Sequence, residues 1–475
     1  MSETNKNEGP LQLGKDAVKT GSETLVGMVE TTIDAEKKGV ETIEKAAAVI
    51  SEQPPIKQVK NFWQSLGPGL ITGAADDDPS GVATYSQTGA KYGFGLLWLS
   101  PFTFPMMAAV QEMCARIGLV TGKGLAHNIR NIFPKWVLFL VAGLLLLANS
   151  FNIGADLGAL AKATQLLLPG LQYWSLVIFF AIVCLLLQIF IPYNKYARYL
   201  KYLAVTLVVY IVAAFVIKDF NWFELAKGSF VPQLNFDKEK IILICAILGT
   251  TISPYLFFWQ TSQEVEEKIV EGYKTISSRQ DANDKKAIRK MRLDIWLGML
   301  FSNLVFFFIV AVCGATLFKS GTTNITTAAD AAAALKPLAG NYAYLLFALG
   351  IFGTGLLGIP VLAGSASYAV SESFGWREGL YRKFKEASAF YSIIILSVLI
   401  GLVLNFVGID PIKALIWSAV FNGLVAPIIL VLIVLISSNK KVMGEWVNHS
   451  FTKVFGWFVV GVMALVCLAT IYAMF

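Results

Sequence analysis

The feature that most limits what this chain can become is the stretch from Leu66 to Tyr85, LGPGLITGAADDDPSGVATY. An apolar run is interrupted by three consecutive carboxylates, Asp76, Asp77 and Asp78, and then at once by Pro79, Ser80 and Gly81. An ordinary spanning helix does not continue through that sequence, because charge is costly in hydrocarbon and proline removes a backbone hydrogen bond. Irregular backbone at membrane depth persists only where it is buried in protein or lines a wet cavity. The break is therefore expected to face an internal site, and its acids make that a cation site.

That the chain lives in a membrane follows from composition. Hydrophobic residues make up 56% and charged residues only 15%, with mean hydropathy +0.61 over 475 residues. A soluble domain carries far more charge. The net charge of +7 would suggest nucleic acid in another chain; here topology accounts for it, and no nucleic-acid partner is expected. Cys114, Cys184, Cys245, Cys313 and Cys467 all fall inside apolar runs without metal or redox spacing, and read as small core residues. Residues 1–60 differ from the rest, with ten acidic and eight basic side chains and Val29, Ile33, Val40, Ile43, Ala47 and Ile50 at helical spacing. They predict a cytoplasmic tail with an amphipathic helix ending near Pro54 and Pro55, ahead of a transporter domain over 61–475; no signal-peptide core precedes it.

Eleven segments are long enough to cross a bilayer, each needing about 20 apolar residues. They fall near 64–92 (broken), 94–118, 135–163, 173–192, 197–217, 240–267 (broken), 293–318, 342–371, 388–407, 411–436 and 453–475. With the tail inside, cytoplasmic segments hold 30 of the 39 Lys and Arg residues and the opposite side holds nine. The positive-inside rule then places the N-terminus in the cytoplasm and the C-terminus outside, in a multi-pass protein of the plasma (inner) membrane.

A second break lies five spans after the first, at Ile247 to Gln260, ILGTTISPYLFFWQ, where Gly249, Thr250, Thr251, Ser253 and Pro254 interrupt an apolar helix. A plain proline kink would account for Pro254 alone. Two interrupted helices opening successive five-helix halves point instead to an inverted-repeat transporter, its substrate held at the midplane between the breaks. Unwound carbonyls would supply oxygen ligands and the aspartates charge.

These residues carry a resemblance to the NRAMP divalent-metal transporters. Gly67, Pro68, Gly69, Asp78, Pro79, Ala83 and Thr84 resemble the family's first helix in register, and Pro254 holds the place of the proline in its Met-Pro-His helix. Ala115 to Lys123 resembles the end of the second helix, and Leu362 to Phe374 the eighth. The resemblance implies a leucine-transporter-like fold, with metal held by Asp78 and the freed carbonyls of Ala75 and Thr250, near Thr251. Two departures stand out: Gly81 replaces a metal-binding asparagine and Ser253 replaces a methionine thioether. Sulfur favours softer transition ions, whereas oxygen suits magnesium, calcium and manganese. Magnesium sheds water reluctantly and needs a roomy acidic site, which Gly81 and Ser253 would open and Asp76 and Asp77 would charge. That pattern is similar to the NRAMP-related magnesium transporters. The alternative for Asp76 and Asp77 is that they only hydrate the vestibule or pair with a basic side chain.

The sequence therefore predicts an all-α, eleven-helix secondary transporter moving divalent metal, Mg2+ or also Mn2+, inward by alternating access, with no cofactor. A proton-coupled manganese or iron carrier is the nearest alternative. A sodium-coupled amino-acid transporter on this fold is another, although three aspartates would repel a substrate carboxylate. No HExxH, Ser–His or Cys–His constellation suggests an enzyme. Proton coupling in the resembling family involves histidines after the second break and acids in the third helix, where this chain has Tyr255, Gln260, Asn152 and Ala155. None of these titrates near neutrality. A divalent ion gains about 4.6 kcal/mol across 100 mV, so voltage alone could drive uptake. Glu112 and Arg116, spaced i, i+4, read as an intrahelical pair; His127 and His449 read as loop residues without metal partners. Asn324-Ile325-Thr326 is a formal glycosylation match. Asp156 stays open between an intramembrane functional acid and a bystander between Gly154 and Gly158, two helix-packing glycines.

Overall fold

The computed structural model describes residues 67–191, 208–217, 220–233, 235, 237–336 and 340–475. The tail expected over 1–60 and the first half of the fifth span, through residue 207, lie outside the described residues. Every regular element among those described is helical.

The first predicted span is two helices, α1 (Pro68–Asp76) and α2 (Pro79–Tyr92), separated only by Asp77 and Asp78. Pro79 takes the first helical position, where its missing N–H is no loss, and the Asp78 side chain caps the Gly81 N–H at 2.9 Å. Next come α3 (Leu99–Thr121), a short α4 (Leu125–Ile132), α5 (Lys135–Leu167), α6 (Tyr173–Phe190), α7 (Val208–Val216) and α8 (Trp222–Phe230). The second broken span is α9 (Lys238–Thr251) and α10 (Pro254–Val270). After α11 (Ile276–Asp281) the chain runs through α12 (Lys285–Cys313), extended by a π turn over Gly314–Phe318, then α13 (Ala328–Ala333), α14 (Ala343–Phe374) and α15 (Ser388–Leu404). It ends in α16 (Pro411–Ser437), α17 (Lys440–Met443) and α18 (Ser450–Met474).

Among the described residues each of the eleven spans has a helical counterpart, the fifth only over α7, and eight are long and apolar enough to cross a bilayer. The second break is narrower than the sequence implied. Gly249, Thr250 and Thr251 remain helical and only Ile252 and Ser253 leave the helix. Hydroxyls hold that end together: Thr251 donates to the Ile247 carbonyl at 3.0 Å and Ser253 to the Gly249 carbonyl at 2.8 Å.

The two five-helix halves interlock. Each broken helix lays its second part on the second helix of the other half, α2 on α12 and α10 on α3, while the third helices, α5 and α14, pair along their length. Helix α1 also lies on α12 at backbone contact. A Cβ at Gly73 would come within 2.1 Å of the Gly298 carbonyl oxygen, and one at Gly298 within 2.2 Å of that of Gly69. Small residues at such a seam let helices approach where lipid offers no hydrophobic drive.

Candidate metal site

The three aspartates sit where α1 gives way to α2, and all are buried. Asp78 is fully engaged. Its Oδ1 accepts from the Ser80 hydroxyl at 2.6 Å and the Gly81 N–H at 2.9 Å, and its Oδ2 from the Asn152 amide at 2.8 Å. Asn152 is itself oriented by Ser418, whose hydroxyl donates to the Asn152 Oδ1 at 2.7 Å. Asp76 accepts from Ser302 at 2.6 Å through Oδ2, while its Oδ1 and both oxygens of Asp77 have no hydrogen-bond partner.

The second break faces the first through two tyrosines. Tyr255 donates its hydroxyl to the Ala75 carbonyl at 2.9 Å, and the Tyr85 hydroxyl lies 2.7 Å from the Thr250 hydroxyl. The Ser253 hydroxyl donates to the Thr250 carbonyl. Both carbonyls implicated by the resemblance therefore already hold one hydroxyl, and each keeps a second lone pair. Thr251 turns its hydroxyl back onto its own helix. Gly81 is not beside open space: a Cβ there would meet the Asp76 carbonyl oxygen at 3.3 Å and Tyr85 at 3.4 Å.

Asp156, on α5, is completely buried, and neither carboxylate oxygen has a hydrogen-bond partner. It shares a neighbour with Asp78. A Cβ placed on Gly358 of α14 would be 3.0 Å from the Asp78 Cβ and 3.6 Å from the Asp156 Oδ2. Gly154 and Gly158 do serve packing, against Gly401 and against Asn405 and Tyr173 respectively. Among the described residues no ion pair joins a lysine or arginine to Asp76, Asp77, Asp78 or Asp156. Buried carboxylates without a counter-charge are strongly disfavoured as anions, so this cluster calls for a cation or for protons. Among the described residues no three His, Cys, Asp or Glu side chains converge tightly enough to hold a metal by themselves.

Ser302, Tyr85 and Ser418 were not singled out from the sequence, where a lone hydroxyl in an apolar span is ordinary. Asn152 stood out only as a position that does not titrate. The Glu112–Arg116 pair is present at 2.9 Å and is wider than expected, because Arg292 also donates to Glu112 and Arg116 reaches the Trp446 carbonyl and Asn448. His127 lies on α4, its backbone N–H donating to Glu372 at 2.9 Å, in the wall of a cavity of about 200 Å3. Burial, then Lys123 and Arg130, draw its imidazole down to about 4.

Residues 69–473 match the profile of Nramp, described as natural resistance-associated macrophage protein-like. The chain belongs to the Nramp family. Its similarity extends to MntH of Yersinia pestis (strain Pestoides F), named a divalent metal cation transporter, at 26% identity over 429 residues, 87% of this chain and 95% of that protein. MntH of Erwinia tasmaniensis is 26% identical over 411 residues, 84% and 91% of the two chains. Among solved structures, the manganese transporter of Eremococcus coleocola superposes with TM-score 0.67 at 20% identity, covering 86% of this chain and 87% of that one. Inward-facing Mhp1 does so with TM-score 0.51 at 15% identity, covering 86% and 91%. The shared architecture is the leucine-transporter-like arrangement that the family resemblance implied. Nramp members are transporters rather than enzymes, so this one is a multi-pass membrane transporter, and a divalent metal is its substrate.

Proposed function

We propose that this Nramp protein carries Mg2+ into the cytoplasm by alternating access, as a uniporter driven by voltage. The observation that carries the reading is Ser253. It stands where the family resemblance puts a thioether, and its hydroxyl closes onto the Gly249 and Thr250 carbonyls. The break then offers only oxygen, from carboxylate, carbonyl and hydroxyl, a donor set that suits a hard ion. In this reading Asp78 is the anchor and the Ala75 and Thr250 carbonyls are ligands through their free lone pairs. Asp76 and Asp77 supply charge to an ion that keeps part of its water, beside Gly81 and Thr251. Asn152, Tyr255 and Gln260 support uniport because each is committed to a hydrogen bond and none titrates near neutrality.

The same reading keeps the N-terminus in the cytoplasm and the C-terminus outside, in the plasma membrane, on the strength of the Lys and Arg asymmetry. Manganese is the second reading, favoured by the structural similarity to the Eremococcus coleocola manganese transporter and supported by the same oxygen donors. Isothermal titration of the purified protein with MgCl2, MnCl2 and leucine separates these. Saturable Mg2+ heat that Asp78→Ala abolishes supports the proposal. Mn2+ heat with no Mg2+ heat supports the second reading, and leucine heat would contradict both.

A further inference from the structure

We infer that Asp156 is a second seat for the transported cation, paired with Asp78 across Gly358; the inference rests on the metal-transport reading of the same break. Its two carboxylate oxygens are unpartnered although the side chain is completely buried. Asp78, by contrast, has both oxygens taken by Ser80, Gly81 and Asn152. An ion arriving near the break therefore finds unoccupied acceptors at Asp156 as well as on Asp77 and one oxygen of Asp76, while Asp78 must share lone pairs with donors already in place.

The two acids share a neighbour on α14, Gly358. The point where a side chain at residue 358 would begin is 3.0 Å from the Asp78 Cβ and 3.6 Å from the Asp156 Oδ2. Glycine at 358 lets the Asp78 side chain pack this closely against α14, beside Asp156. Asp156 is also one helical turn beyond Asn152 on α5, the residue that donates to Asp78. The ligand class is a divalent cation retaining part of its hydration shell, which bridges carboxylates through water as readily as directly. In the orientation proposed above, with the Lys135 end of α5 at the cytoplasmic side, Asp156 is met first in the inward direction of transport. The ion then passes to Asp78 and the carbonyls of the break.

The test uses the full-length protein in proteoliposomes, with Mg2+ and Mn2+ as probes and wild type, Asp156→Asn, Asp156→Glu and Asp78→Ala compared. Asp156→Asn keeps the shape and removes the charge. It should raise the KM for Mg2+ at least about tenfold with a smaller change in kcat. Asp156→Glu should recover most of that loss, which a purely structural role would not produce. Gel filtration and thermal melting check that each variant is folded; if Asp156→Asn does not fold, the Asp156→Glu KM decides, a value within twofold of wild type being required. Unchanged KM in folded Asp156→Asn overturns the inference while leaving the metal reading intact. So does an unchanged KM accompanied by lost metal-dependent acidification, which would make Asp156 a proton carrier. Absence of metal uptake by wild type would overturn the metal reading itself and this inference with it.

Discussion

Replacing Asp294 should loosen the half-helix that carries the aspartates. Helix α1 begins at Pro68 with no capping side chain of its own. The Asp294 carboxylate of α12 does that work from another element, accepting from the Gly67 N–H at 2.8 Å and the Gly69 N–H at 2.7 Å. Pro68 between them has no N–H to satisfy. Hydrogen bonds to a charged group contribute about 1.5–3 kcal/mol each, and a carboxylate at a helix N-terminus adds about 0.3–1 kcal/mol. Gly67 is half-buried and can recover a water, so Asp294→Ala should destabilise α1 locally by about 2–4 kcal/mol. Asp294→Asn, which keeps an acceptor oxygen without the charge, should cost about half as much. The assay is amide hydrogen exchange in detergent, followed by mass spectrometry of peptides covering 67–76. A loss of 2–4 kcal/mol corresponds to exchange about 30-fold to 1,000-fold faster in that segment, if it opens locally. Exchange within about threefold of wild type would refute the capping argument, because the Gly69 N–H has no substitute acceptor in the hydrogen bonds described.

Three further outcomes follow from the same geometry. Asp78→Ala should abolish metal uptake in a protein that still folds, measured as flux per reconstituted molecule; retained uptake would remove Asp78 from the site. Ser253→Met with Gly81→Asn should shift preference from Mg2+ toward Mn2+ or Cd2+ in competition titrations. The asparagine must displace the Asp76 carbonyl or Tyr85 slightly to enter, and an unchanged preference would place selectivity elsewhere. For His127, burial and nearby cations hold the folded imidazole down at about 4, against an ordinary 6.5. The folded state resists protonation that the unfolded chain accepts, so stability falls as pH drops from about 6.5 toward 4 and levels off below. His127→Gln should flatten that part of a melting-temperature profile, and an unchanged slope would assign it to other groups.

Much of the fold was legible because membrane helices advertise themselves by length and apolarity, and because the two breaks carry proline at the first position of their second halves. The Asp76–Asp78 break is where the sequence placed it, since charge and proline act locally. The Gly249 to Pro254 break was overextended because glycine and threonine lower helix propensity without ending a helix whose carbonyls have hydroxyl partners. The wiring of the site was not legible. Ser302, Tyr85, Asn152 and Ser418 act through contacts between helices distant in sequence, and no spacing rule announces them. Gly358 is the same kind of case, since a side chain there would crowd the Asp78 Cβ at 3.0 Å beside Asp156.

The claim that most needs a direct measurement is voltage-driven magnesium entry without protons. Purified protein is reconstituted into liposomes holding a magnesium dye and a pH dye, and a potassium gradient with valinomycin sets the potential. At two positive charges per ion, 100 mV supplies about 4.6 kcal/mol. Lumenal Mg2+ should rise with the imposed voltage, lumenal pH should stay constant, and both signals should be flat in Asp78→Ala. Acidification that requires metal and scales with its uptake would contradict that claim, as would Mn2+ entry with no Mg2+ entry under the same voltage.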